Sequence, residues 1–218
     1  MSREFHLNQP ETLFLAGYLR RLTQWDSAAA VRIEGEGNAL GFYSDVDDAF
    51  IAFIALPTSM ALAEPVSAVV SAGRLRDVIG DVRARTGSTA IVLPDPVEAS
   101  AALQNLPPRQ GWQPAFKGMA GDITAEIDEQ IARATAQASL LPERAQETAM
   151  RSDWSQPGWS SVPRGALHIA RQLGFLNLAQ TPIAASTNGP WKRITTAMGQ
   201  VFARADDGIA RLSVVRGK

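Results

Sequence analysis

An α+β fold is the prediction, and three observations carry it. Apolar residues recur at helical spacing in some segments and alternate in others. The two kinds of segment are mixed rather than strictly alternating along the chain. The strand-like runs are short and bounded by turn residues, which argues for antiparallel pairing. The expected architecture is an N-terminal, mostly antiparallel sheet with two helices. Three C-terminal helices and a small antiparallel meander follow.

Residues 10–25 read as an amphipathic helix. Pro10 suits a first helical turn, with Asn8 in the cap region before it. Leu15, Leu19 and Leu22 form one stripe, flanked by Phe14 and Tyr18, while Arg20, Arg21 and Gln24 lie toward the other side. Residues 31–34 alternate, 35–38 carry turn chemistry, and 40–43 are strand-like again. A polar turn at 45–48 precedes an apolar run at 50–56. Pro57 and Pro65 bracket a loop, and 66–70 is the next strand. Ser71 caps a helix to about residue 83, with Leu75, Val78, Ile79 and Val82 facing inward. Thr86-Gly87 stops it, and 89–93 is a strand.

Residues 94–118 contain five prolines. They read as a linker or as a long ordered loop on one continuous domain. The expected division is an α+β domain at 1–98, this segment at 99–118, and a helix-plus-meander domain at 119–218, packed separately or as one unit. Asp122 opens a helix whose seam is Ile123, Ile127, Ile131, Ala134 and Ala138. Pro142 opens a second, and residues 164–174 form a third, closed by Gly174. Strands are expected at 182–187, 191–196, 200–204 and 209–215, with hairpin signals at Asn188-Gly189 and at 206–208. No internal repeat or low-complexity tract is visible.

The counts exclude several chemistries. The chain has 218 residues, 45% hydrophobic and 20% charged, a balance that suits a folded core. It has no cysteine, so disulfides, zinc ribbons and thiol catalysis are absent. Its two histidines, His6 and His168, are too few for a multi-imidazole metal site. His6 lies near the terminus and is given no role. The longest apolar run, residues 49–56, is eight long, against roughly 20 for a bilayer span. No apolar leader opens the sequence, so a cytoplasmic location without a membrane partner is expected. Lysine occurs only at Lys117, Lys192 and Lys218, an arginine bias that fits a GC-rich genome.

Charge is asymmetric. Residues 1–105 carry net −5 and residues 151–218 carry net +6. The halves therefore dock on each other, or the basic end meets an anionic partner.

No motif names a reaction. Asp45, Asp47 and Asp48 cluster, but the positions that an EF-hand fills with Gly and Glu hold Phe50 and Leu56. Gly35, Gly37 and Gly41 precede a strand, which reads as a turn rather than a dinucleotide loop. There is no P-loop and no nucleophile elbow. His168 shares the polar side of its helix with Arg164 and Arg171, and Trp191-Lys192-Arg193 follows the Asn-Gly turn. Interleaved aromatic and basic residues can stack bases and neutralise phosphates. Three helices and a hairpin also form the element order of a winged helix, with 164–175 as the recognition helix.

Residues 154–163, 166–176 and 189–204 resemble an uncharacterised family of cytoplasmic actinobacterial proteins. That resemblance implies no site residues. Separately, Val-Ser-Ala-Gly-Arg-Leu-Arg-Asp-Val-Ile-Gly at 70–80, set between strands, is similar in layout to a sliding-clamp repeat. Layout implies a fold and not a function.

The leading expectation is thus a non-catalytic interaction or regulatory module. Its partner is a protein or a second copy of the chain. No catalytic, cofactor or metal residues are assigned, and no cofactor is expected. The alternatives are a nucleic-acid binder using Arg164, His168, Arg171, Trp191, Lys192 and Arg193, and an enzyme with a carboxylate site near Asp45.

Overall fold

The computed structural model describes residues 3–47 and 49–204. The first half runs β1 (Glu4–Leu7), α1 (Gln9–Trp25), β2 (Ala30–Glu36), β3 (Ala39–Asp47), β4 (Phe50–Pro57), β5 (Val66–Ser71), α2 (Ala72–Val82) and β6 (Thr89–Val92). A short α3 (Ala101–Gln104) and β7 (Gln113–Met119) follow. Then come α4 (Ala120–Ser139), α5 (Glu143–Trp154), α6 (Arg164–Gln172), β8 (Pro182–Asn188), β9 (Trp191–Thr196) and β10 (Gln200–Arg204). The chain is α+β, its sheets are antiparallel, and β8–β10 form the expected meander.

Local chemistry sets most elements. Ser71 accepts a hydrogen bond from the Arg74 N–H and starts α2. Asp122 accepts from the Met119 N–H at the head of α4. Gly37 and Gly189 take positive φ, 61° and 53°, in the β2–β3 and β8–β9 turns. Three elements escaped the sequence reading: β1, α3 and β7. His6 lies in β1 and faces Ala90 of β6 across the pair. The expected strand at 209–215 and turn at 206–208 lie outside the described residues.

Among the described residues the larger sheet has eight strands in the order β5-β2-β3-β4-β10-β9-β8-β7. Its seam joins the halves, with Phe50–Phe53 of β4 paired to Gln200–Ala203 of β10. One core runs through both halves, from Leu7, Leu19 and Phe42 to Ile169, Phe175 and Val201. Tyr18 of α1 stacks on Phe175 at 6.1 Å and donates to Ser44 Oγ at 2.6 Å. Burial pushes the Tyr18 phenol well above its ordinary pKa, so the hydroxyl stays a donor.

The proline-rich segment crosses the sheet face opposite α1 as an ordered strap. Leu103 is buried, and its carbonyl accepts from Arg32 at 2.9 Å. Arg109 pairs with Glu34, itself paired with Arg32. Trp112 lies under the Arg193 guanidinium at 4.2 Å, and Asn188 donates to the Gln110 carbonyl. The strap delivers the chain to β7 at the far edge of the sheet.

Candidate functional site

Most of the basic and aromatic residues read from the sequence have partners within the fold. Arg164 donates to Asp153 at 2.7 Å. Arg171 grips Asp128 through two nitrogens, at 2.8 and 3.0 Å, and also reaches Asn177. That contact holds the Asp128 carboxyl below the usual range and raises the guanidinium. Arg193 lies over Trp112, and burial lowers its pKa. Trp191 has Arg204 over its ring at 5.9 Å. Lys192 stands opposite Thr187 and Ala203 in the sheet.

His168 is not on a polar face. It meets Trp25 edge-on at 5.2 Å and Trp154 at 5.6 Å. Burial pushes its pKa down to about 4 despite the nearby Asp153. The ring is therefore neutral near pH 7 and belongs to an aromatic junction between α1, α5 and α6. The winged-helix layout also fails. α6 buries Gly165, Ala166, Leu167, Ile169 and Ala170 against the fold, and β8–β9 lie inside the sheet. A wing stands free at the edge of its domain, whereas this hairpin is flanked by β10 and β7.

Asp47 pairs with Arg151 at 3.4 Å and accepts from the Ala49 N–H. Asp48 lies outside the described residues. Asp26, Asp45 and Glu98 line a cavity of about 440 Å³. Among the described residues, no three His, Asp or Glu side chains are grouped to hold a metal.

A different feature stands out at the seam. β4 pairs with β3 along its whole length, from Phe50 to Pro57. It pairs with β10 only from Phe50 to Phe53. The cause is the β9–β10 turn. Thr196 Oγ1 accepts from the Met198 and Gly199 N–H groups at 3.0 and 3.1 Å. Gly199 lets the Phe175 ring approach, since a Cβ there would lie 2.5 Å from it. The turn closes before β10 can follow β4 to its end.

The result is a cleft of about 390 Å³ between the start of α1, the end of β4 and this turn. Phe14, Phe53, Leu56, Pro57 and Met198 make it apolar. Among the described residues Glu11 is the one charged side chain that lines it. Its Oε2 is sealed from solvent and has no hydrogen-bond partner among the described residues. Such an oxygen is costly to leave unpaired, and because Glu11 as a whole is only half-buried its carboxylate can turn to accept from a donor carried by a partner. Sequence reasoning missed this site. Its residues come from three distant segments, and each segment alone reads as ordinary helix, strand or turn.

Comparison with known proteins agrees with this geometry at the level of fold. A Pseudomonas aeruginosa DNA polymerase sliding clamp superposes with TM-score 0.57 at 12% identity, covering 94% of this chain and 65% of the clamp. A Caulobacter crescentus DNA polymerase sliding clamp gives 0.55 at 12% identity, covering 95% and 66%. A Helicobacter pylori β clamp bound to a DNA ligase peptide gives 0.52 at 13% identity, covering 94% and 66%. The chain thus spans about two thirds of the length of these clamps. No curated protein matches it. Residues 1–103 match the family model of a domain of unknown function, DUF8010, and residues 107–208 match that of a second, DUF8185.

Proposed function

We propose that this chain is a non-catalytic cytoplasmic interaction module whose seam cleft receives an apolar peptide segment of a partner protein. The cleft itself carries the reading. It is concave, mostly apolar, and holds one acidic group that can orient a ligand. The Helicobacter pylori clamp of similar fold was solved with a peptide bound, which adds support for a peptide as the ligand class. Display selection of random peptides on the whole chain tests the reading. Apolar-rich peptides should be enriched, and Met198→Lys should weaken them about tenfold or more. Failure to enrich, or indifference to Met198→Lys, sinks it.

Nucleic-acid binding is the second reading, and one observation favours it. Arg20, Arg74, Arg83 and Arg85 are exposed on α1, α2 and the end of α2, and form no ion pair among the described residues. The expected signature is oligonucleotide binding that weakens steeply with salt and falls with Arg74→Ala and Arg83→Ala. Lys192→Ala tests the residues read from the sequence. Binding that ignores salt would remove this reading.

A further inference from the structure

We infer that the cleft takes its ligand by strand addition: an extended, basic peptide pairs with the free edge of β4 in line with β10. This rests on the peptide-docking reading and goes beyond it. Three observations carry it.

The first is the register. On its β3 side, β4 is paired through Leu40↔Leu56 and Ala39↔Pro57. On its other side, pairing stops at Gln200↔Phe53. Among the described residues, no strand covers that side of residues 54–57. The bare edge runs about 13 Å, room for a four-residue strand. Backbone groups of alternate residues face that side, Pro57 having a carbonyl but no N–H, and they are a template for a further chain.

The second is the wall chemistry. A strand added there alternates its side chains between two faces. Phe14, Leu56 and Met198 offer apolar contact to one set of them. A purely apolar ligand would leave Glu11 unanswered, because its Oε2 lacks a donor. A lysine or arginine supplies that donor and the opposite charge. Among the described residues no other charged side chain lines the cleft, so the preference has one sign.

The third is continuity. A peptide running antiparallel to β4 would continue the line of β10 beyond the turn that diverts the chain at Thr196 to Gly199. It would thus extend a hydrogen-bond ladder that the fold has already begun.

The test uses a synthetic hexapeptide library, apolar at alternate positions and random between, screened against the whole chain. Retained peptides should carry Lys or Arg. Glu11→Gln should weaken a lysine peptide about tenfold more than its norleucine counterpart. N-methylation of peptide amides should abolish binding at one parity of positions and be tolerated at the other. Peptides sensitive to Met198→Lys but indifferent to Glu11→Gln, or to N-methylation at both parities, overturn strand addition and leave cleft docking standing. Peptides indifferent to Met198→Lys, or none retained, overturn both. Ala55→Lys, at an exposed cleft position, replaces Met198→Lys if that variant melts early.

Discussion

The two halves of the large sheet mirror each other about the β4–β10 seam, yet they are covered differently. One side reads β5-β2-β3-β4 and the other β7-β8-β9-β10. The first is covered by α1, which buries Thr12, Leu15, Tyr18, Leu19, Leu22 and Thr23. The second is covered by α6, while α4 and α5 are set between β7 and α6. α5 buries no residue at all. It is tied at its C-terminal end, through Trp154, the Asp153–Arg164 pair and the Arg151–Asp47 pair. Helix cover in this fold is therefore of two kinds. α1 and α6 belong to the core, whereas α5 is an appended element that packs on α4 and α6 and is pinned to the body at its C-terminal end.

The largest expected effect follows from that contrast. Leu19→Ala should cost about 2–5 kcal/mol, because the side chain is fully buried and little can collapse into the void. Met150→Ala on α5 should cost under about 1 kcal/mol, because Met150 is only half-buried. Urea denaturation of both variants measures the gap. Equal losses would mean that α5 is as integral as α1.

The next effect probes where the two kinds of cover meet. His168 of α6 lies between Trp25 of α1 and Trp154 of α5, and is neutral in the fold down to pH about 4. Unfolded, it takes its proton near its ordinary value of 6.5. The unfolded chain therefore binds more protons between these values. Stability should fall as pH drops from about 6.5 to about 4, by on the order of 3 kcal/mol in all. His168→Phe keeps a ring in the junction and removes the titration. Its melting temperature should decline less over that range than that of the natural chain. Parallel declines would mean that the junction is wetter than its geometry indicates.

What the sequence revealed and what it hid divide along the same physical line. The α1 stripe, the Ser71 cap and the Asn188-Gly189 turn are local, and the chain within a few residues determines them. β1 is four residues long and is held by β6, more than eighty positions away. β7 carries Pro114 and Gly118 and is mostly exposed, so no alternation marks it. His168 reads as polar from its own helix, since Trp25 is far off in sequence. The cleft was invisible for the same reason. It exists because β10 stops short of the end of β4, and only the register reveals that.

The smallest effect concerns how α4 is held against α6. Arg171 and Asp128 form a bidentate pair between these helices, which is the favourable geometry for a guanidinium and a carboxylate. Both groups are partly exposed, at 29% and 47%, so water and salt weaken the attraction. Arg171→Ala should therefore cost only about 0.2–1 kcal/mol, less in high salt than in low. Asp128→Asn should lose a similar amount, and the double variant less than the sum of the two, since each single change already breaks the pair. A double-mutant cycle by thermal melting at two salt concentrations measures this. Strict additivity would show that α4 rests on its apolar seam of Ala120, Ile123, Ile127, Ala134 and Ala138, with the ion pair contributing nothing. A salt-dependent coupling would show that charge adds to the apolar seam in holding α4, where α1 is held by its core alone.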